Sequence, residues 1–89
     1  MISTILPTYA RADLEFVKGQ GAWLTEADGS RFLDLASGIA VNSLGHAHPD
    51  LVKIIKSQAE TLWHVSNLYE IPQQRALADI LVANSFADT

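Results

Sequence analysis

Two histidines separated by a single residue, His46 and His48, are the side chains of this sequence best suited to chemistry. They lie in a Gly-His-Ala-His-Pro element, and Asp50 follows two residues later. Imidazole and carboxylate groups bind zinc, and His64 could add a third nitrogen ligand. The other acidic residues are scattered and no cysteine is present, so metal binding is the weaker interpretation. The stronger interpretation is a turn at Gly45, with both histidines hydrogen-bonding locally around the start of a helix.

Other kinds of site receive little support from the residues. Gly19 and Gly21 do not continue into the Gly-x-Gly-x-x-Gly pattern of dinucleotide sites, and no Lys-Ser/Thr phosphate loop follows any glycine. No serine has the flanking glycines of a nucleophile elbow. Asn67 and Tyr69, in the predicted extended link His64–Tyr69, are candidates for facing a ligand, with ordinary loop packing as the alternative. The residues alone therefore predict no catalytic and no cofactor-binding side chain.

Composition restricts the classes of protein to which the chain can belong. Its 89 residues, 48% apolar and 18% charged, are typical of one small globular domain. A net charge of −4 without a basic cluster argues against a nucleic-acid partner. The absence of cysteine excludes disulfides and fits a reducing compartment. No signal peptide is evident, and no apolar run approaches the ~20 residues that a membrane span needs, so we predict a cytoplasmic protein without a membrane partner.

An antiparallel three-strand meander is predicted for the first half of the chain, followed by helices, which makes the fold class α+β. The expected strands are Leu14–Lys18, Ala22–Glu26 and Arg31–Leu35. Gly19-Gln20-Gly21 is the expected first turn, and Asp28-Gly29 is a strong hairpin signal. The large aromatic side chains are expected in the core. These are Phe16, Trp23, Phe32, Trp63 and Phe86.

The second half predicts a loop and two amphipathic helices. Turn-forming residues in 37–48 indicate a loop, but its aliphatic side chains must be covered or line a pocket. Pro49 begins the first helix, because proline fits a first helical turn, and the helix is expected to end near Trp63. Pro72 begins the second helix in the same way, and Asn84 ends it.

The order of these features resembles the N-terminal segment of class III pyridoxal-phosphate-dependent aminotransferases. Three stretches carry the resemblance: Gly29–Leu35, Ser37–Asn42 and Leu44–Pro49, the last with its Gly-His-x-His-Pro. Within the class, GIAVNSLGHAHPDLV and LWHVSNLYEIPQQRALADIL are most similar to the acetylornithine aminotransferase subfamily. The resemblance extends from Leu6 to Thr89.

This resemblance implies a fold-type-I homodimer with pyridoxal 5'-phosphate at the subunit interface. The segment would belong to the small domain, with the rest of the polypeptide and a second identical subunit as its partners. The implied reaction moves the δ-amino group of N-acetylornithine to 2-oxoglutarate, a step of arginine biosynthesis. The apolar loop would form one wall of the substrate channel. The implied channel residues are Ile39, Val41, Asn67 and Tyr69.

Ile39 carries the substrate assignment within the class. Ornithine aminotransferases share the Gly-His-x-His-Pro element but have a tyrosine where this chain has Ile39. In those enzymes the tyrosine contacts the free α-amino group of ornithine. An isoleucine suits a substrate whose α-amino group is acylated and uncharged.

The residues that perform the chemistry in this family are not matched here. The lysine that binds the cofactor covalently, the aspartate under the pyridine nitrogen and the carboxylate-binding arginine all lie beyond Thr89 in the family. Lys18, Lys53 and Lys56 match none of them. The sequence is therefore expected to be an inactive fragment of a larger enzyme. Two alternatives stay open: a fragment of a succinylornithine, ornithine or 4-aminobutyrate aminotransferase, and a stand-alone interaction module.

Overall fold

A computed structural model describes residues 4–89, and its elements follow the predicted α+β order. An antiparallel sheet comes first and helices follow, as the sequence pattern indicates. The chain divides into two compact units, Met1–Ser57 and Gln58–Thr89. Within residues 4–89, none of the helices combines the length and the apolarity that crossing a membrane would require.

The sheet of the first unit is a meander with strand order β1-β2-β3. Its strands are β1 Phe16–Gln20, β2 Trp23–Glu26 and β3 Arg31–Leu33. Asp28 and Gly29 form the second turn, as predicted: the Asp28 Oδ1 accepts the Ser30 N–H at 2.9 Å, and Gly29 has φ +92°. A residue with a side chain rarely adopts that dihedral, so glycine permits the tight connection.

The first turn was predicted to begin at Gly19, which is too early in the chain. Gly19 and Gln20 are not turn residues but the last paired residues of β1, opposite Leu24 and Trp23. The chain reverses at Gly21, which has φ +57°. Two glycines near a strand end indicate a turn, but only Gly21 has the positive φ that needs one.

The aromatic side chains are not in a buried core, which corrects the prediction. Phe16 and Phe32 stack edge to face with centroids 5.6 Å apart, and the Arg31 guanidinium lies 4.5 Å from the Trp23 ring centroid. Yet no described residue of the chain is buried. A sheet of three short strands buries its side chains only against a second layer. The exposed fractions of the five aromatics range from 37% for Phe32 to 106% for Phe86.

The predicted loop begins instead with a left-handed helical turn, α1, Ser37–Ala40. Its φ values are 54°, 64°, 65° and 59°, and the Ala40 N–H donates to the Ala36 carbonyl at 2.9 Å. Three of its four residues are not glycine, so by the usual penalty for L-residues α1 costs roughly 3–6 kcal/mol in backbone strain. Ile39 is the most strained position, because its branched Cβ crowds the carbonyl most.

The first predicted helix is α2, Pro49–Ala59, and it ends earlier than expected. Two side-chain hydrogen bonds lie at this end of the helix. The Gln58 Nε2 donates to the Leu62 carbonyl, and the Trp63 Nε1 donates to the Ala59 carbonyl, both at 2.6 Å. Ala59 is the last residue of α2, and its carbonyl lacks a backbone partner at the helix end, so the Trp63 indole satisfies it in place of a further helical turn. The Gln58 side chain bonds to a carbonyl beyond the helix and holds the turn that follows.

The second predicted helix is confirmed as α3, Pro72–Ala83, with proline in its first turn. Asn84 caps its end by donating its Nδ2 to the Ile80 carbonyl at 2.8 Å. The link before it contains a turn and is not simply extended as predicted. Ser66 makes that turn, because its Oγ accepts the Leu68 N–H at 3.2 Å and its carbonyl accepts the Tyr69 N–H at 3.1 Å.

Candidate functional site

The carboxylate of Asp34, directly after β3, organises the polar centre of the first unit. Its Oδ1 accepts the backbone N–H groups of Ala36 at 3.1 Å and Ser37 at 2.9 Å. Its Oδ2 accepts the Nε2–H of His46 at 2.6 Å. The bonds to Oδ1 bend the chain away from β3 and into α1, which explains why this strand stops before Leu35.

His46 is attached to the sheet through its backbone as well as its ring. Its N–H donates to the Gly21 carbonyl at 2.8 Å, and its own carbonyl accepts the Gly21 N–H at 2.9 Å. Its ring lies over Gly19, where an added Cβ would come within 2.7 Å of the His46 Cγ. The histidine therefore joins the Gly-His-Ala-His-Pro element to β1 and to the end of β3.

Gly45 allows this close approach of two backbones. Its φ is +83°, and an added Cβ would lie 3.0–3.1 Å from three backbone atoms of Gly21. The prediction of a turn at Gly45 is confirmed, but the turn is not the only reason why this position needs glycine. The glycine also leaves the space in which the paired hydrogen bonds between Gly21 and His46 form.

A small cleft opens beside these groups, with a volume of about 150 Å³. Its lining includes the Asp34–His46 pair, α1 and the loop that follows. The polar residues among them are Asp34, Ser37, Asn42, Ser43 and His46. The side chains of Asp34 and His46, which both line the cleft, are 10% and 21% exposed, so the pair is partly shielded from solvent.

The hydrogen bond from His46, followed by those from the Ser37 and Ala36 N–H groups, lowers the pKa of Asp34 below its usual 3.8. A carboxylate that accepts several hydrogen bonds favours its charged form. Because the folded pKa lies below the unfolded one, the stabilising contribution of Asp34 is present above pH 3.8. It is lost as the pH falls through the lower folded value.

We expect the Asp34 carboxyl resonance, followed by carbon-13 NMR, to titrate with a midpoint below 3.8 and to move upward in His46→Ala. Asp28 is an internal control, because hydrogen bonds from Ser30 and not from a histidine lower its pKa. Its midpoint should be the same in both proteins. An Asp34 midpoint that does not respond to His46→Ala would contradict the interpretation of the pair.

Two of the four channel candidates lie on or next to α1. Ile39 is 92% exposed and Val41 is 75% exposed. Four N–H groups of this stretch donate to two carbonyls, those of Ala36 and Ser37, so the backbone that presents the two side chains is held by hydrogen bonds although the side chains are not. An exposed isoleucine in a strained conformation gains nothing from packing within the described residues.

The other two candidates, Asn67 and Tyr69, lie in the second unit. Both are exposed, and Tyr69 is 67% accessible. Leu68 lies between them in the turn that Ser66 makes, and it is 88% exposed. Each pair of candidates is presented by a hydrogen-bonded turn within its own unit.

The histidines behave differently from each other. His48 hydrogen-bonds locally at the start of α2, as predicted, because its Nδ1 accepts the Asp50 N–H at 3.2 Å. His46 does not, since its partner Asp34 lies twelve residues earlier. Within residues 4–89, no group of three or more His, Cys, Asp or Glu side chains is arranged to hold a metal ion.

Three lysines are among the described residues. Lys18, Lys53 and Lys56 are all exposed, the first on the sheet and the other two on α2. None of them lines the cleft beside the Asp34–His46 pair.

The sequence pattern missed Asp34 as a partner of His46. A signal was present, because Asp34 follows a strand and is followed by small residues, which is typical of a turn capped by the aspartate side chain. The left-handed conformation of α1 had only the isolated glycine at position 38 as a clue.

Comparisons with known proteins agree with the resemblance seen in the sequence. The family model described as aminotransferase class III matches residues 7–89. An acetylornithine aminotransferase of Rhodobacter capsulatus is 66% identical over 89 residues, which are 100% of this chain and 23% of that protein. An acetylornithine aminotransferase of Agrobacterium fabrum is 58% identical over 84 residues, covering 94% of this chain and 21% of that protein.

A solved structure gives the same result for the fold. The crystal structure of N-acetylornithine aminotransferase from Stenotrophomonas maltophilia matches with a TM-score of 0.77 and 43% identity, over 84% of this chain and 21% of that one. The chain thus spans between a fifth and a quarter of the length of these relatives. From the family match over nearly its whole length, the chain belongs to the class III aminotransferases.

Proposed function

We propose that this chain forms the N-terminal part of the small domain of an enzyme that transfers the δ-amino group of N-acetylornithine to 2-oxoglutarate. The observation that carries the proposal is the 66% identity to an acetylornithine aminotransferase along all 89 residues. Ile39 supports the same substrate, because an apolar side chain is compatible with an acylated, uncharged nitrogen. The reaction class implies an amino acid and a 2-oxo acid as substrates, and the pathway would be arginine biosynthesis in the cytoplasm.

The exposed apolar side chains support partners of two kinds. Helices α2 and α3 present aliphatic side chains that are between 43% and 67% exposed. These are Leu51, Ile54 and Ile55 on α2, and Leu77, Ile80 and Leu81 on α3. Uncovered apolar surface of this extent is characteristic of an interface. We propose that the rest of the same polypeptide and a second identical subunit cover it. The same exposure disfavours a self-sufficient interaction module.

Pyridoxal phosphate supplies the electron sink for amino transfer in this family, and it would be bound by parts of the enzyme outside these residues. The contribution of this chain would be confined to shaping the mouth of the substrate channel. Ile39 and Val41 on one turn, and Asn67 and Tyr69 on another, are the proposed wall residues. By itself the chain would have no aminotransferase activity.

A chimera tests the proposal directly. The aligned 89 residues of the Rhodobacter capsulatus relative are replaced by this chain, and the residues keep the numbers used here. We expect kcat/KM for N-acetylornithine to stay within about tenfold of that of the unmodified relative, because the channel wall would be equivalent. The relative without this segment is the control and should be inactive.

The competing members of the class give a different result in the same assay. The chimera is offered N-acetylornithine, succinylornithine, ornithine and 4-aminobutyrate with 2-oxoglutarate as acceptor. A folded, cofactor-loaded chimera that prefers ornithine or 4-aminobutyrate would overturn the proposed substrate. It would assign this chain to another branch of the class.

A further inference from the structure

Packing within residues 4–89 does not explain the conformation of α1. Ser37, Gly38, Ile39 and Ala40 all have φ between 54° and 65°, and Ile39 is 92% exposed. A branched side chain at positive φ persists only where its surroundings determine the backbone strongly. Strained residues of this kind concentrate at functional sites, where the strain places a side chain that an ordinary turn would place elsewhere.

The hydrogen bonds that fix the backbone of α1 come from residues at its start. Asp34 Oδ1 accepts the N–H groups of Ala36 and Ser37, which fixes the chain at the point where it enters the left-handed conformation. The carbonyls of these same two residues then accept the N–H groups of residues 39–42. One carboxylate oxygen thus orients the two residues that hold the whole turn.

The second oxygen of the same carboxylate is bonded to His46, whose backbone is in turn bonded to Gly21 directly after β1. Asp34 Oδ2 accepts the His46 Nε2–H at 2.6 Å, and the His46 backbone forms paired hydrogen bonds with Gly21. The carboxylate therefore cannot rotate without breaking either the bonds to α1 or the bond to His46. Charge-assisted bonds of this length are among the stronger ones in proteins.

We propose that Asp34 and His46 are positioning residues that fix α1, and through it the place of Ile39 in the substrate channel. By holding Ile39 in place, the pair contributes to the choice between an N-acylated amino donor and one with a free α-amino group. This inference rests on the proposed function, since it assigns Ile39 to the channel wall. Neither Asp34 nor His46 would contact the substrate.

A comparison within the chain shows what the pair adds to an ordinary turn. Asp28 makes the same type of bond as Asp34, accepting the Ser30 N–H at 2.9 Å. It has no histidine partner and stabilises a hairpin turn remote in sequence from Ile39. Asp28→Ala is thus the matched control: it removes a turn-forming carboxylate without touching α1.

The experiment uses the chimera with five variants: Asp34→Ala, Asp34→Asn, His46→Ala, the double variant Asp34→Ala/His46→Ala, and Asp28→Ala. The first readout is the ratio of kcat/KM for N-acetylornithine to that for ornithine. We expect each of the two single changes to alanine in the pair to lower this ratio by at least about tenfold, mainly through a higher KM for N-acetylornithine. The double variant should lower the ratio no further than Asp34→Ala alone, because the two residues act as a unit. Asp28→Ala should leave the ratio unchanged.

The second readout does not depend on activity. Amide hydrogen exchange at Ala40, Val41 and Asn42, which donate to the carbonyls of Ala36 and Ser37, should speed up by about tenfold or more in Asp34→Ala. Asp34→Asn keeps an oxygen for the same two N–H groups and preserves the shape of the side chain. It loses the charged oxygen that faces His46, so exchange should speed up measurably but less than in Asp34→Ala. It is therefore the fold-preserving variant if Asp34→Ala does not fold.

Each outcome decides the inference. Unchanged exchange in the Asp34 variants would overturn it, and so would faster exchange with an unchanged substrate ratio. An equal loss of ratio in Asp28→Ala would overturn it as well, because the effect would then be general destabilisation. A chimera inactive with N-acetylornithine refutes the proposed function separately, and the exchange data would still decide whether Asp34 fixes α1.

Discussion

Gly45→Ala is expected to destabilise the chimera far more than Gly29→Ala. Both glycines have positive φ, +83° and +92°, so both substitutions incur the left-handed penalty of about 1–2 kcal/mol. They differ in the space for a Cβ. At Gly45 the new carbon would lie 3.0–3.1 Å from the backbone of Gly21, whereas at Gly29 nothing lies within 4 Å. Overpacking of this kind adds about 1–3 kcal/mol, so Gly45→Ala should cost about 2–5 kcal/mol in total.

The larger effect should also be specific in its location. The backbone of Gly21 cannot move away without lengthening its two hydrogen bonds to His46, which are 2.8 and 2.9 Å long. Gly45→Ala should therefore release His46 and weaken its bond to Asp34. Thermal unfolding of the two variants, followed by circular dichroism, gives the comparison. Equal shifts of the midpoint would show that the backbones separate easily and that only the dihedral penalty matters.

Local rules predicted the parts of the fold that depend on neighbouring residues. Asp28-Gly29 defined a hairpin because the aspartate forms the turn and the glycine supplies positive φ. Pro49 and Pro72 marked helix starts because a missing N–H costs nothing there. The predicted end of α2 was wrong because the Trp63 indole satisfies the carbonyl of Ala59, the last helical residue, and periodicity carries no information about such a cap.

The candidate site depended on contacts between distant parts of the chain. His46 was predicted to bond locally, but its partner Asp34 lies across the connection between β3 and the Gly-His-Ala-His-Pro element. The left-handed α1 opposes the intrinsic preference of Ser, Ile and Ala, so a propensity argument can only predict a loop there. The prediction of an aromatic core was wrong for a different reason. The described residues provide no second layer to cover the sheet.

Ile39→Tyr in the chimera is expected to lower kcat/KM for N-acetylornithine by roughly 10- to 100-fold and to raise the relative rate with ornithine. A tyrosine hydroxyl can accept a hydrogen bond from a free ammonium group. Beside an acylated nitrogen the ring would crowd the acyl group, and the hydroxyl would be left without a partner. The measurement is the ratio of kcat/KM for the two amino donors.

Stability should not account for this change. Tyrosine lacks the branched Cβ of isoleucine, so it tolerates the φ of 65° at position 39 at least as well. Ile39→Phe is the matched control, because it adds the ring without the hydroxyl. It should lose activity with N-acetylornithine through crowding but gain nothing with ornithine. If both variants give the same ratio, the hydroxyl does not meet the substrate.

The same substitution also connects Ile39 to the Asp34–His46 pair. If the pair holds α1, then in Asp34→Ala the side chain at position 39 no longer has a fixed place in the channel. Ile39→Tyr should then change the substrate ratio much less in the Asp34→Ala background than in the unmodified chimera, and the two effects should not add. Additive effects would mean that Ile39 reaches the substrate without help from the carboxylate. The strain in α1 would then need another explanation.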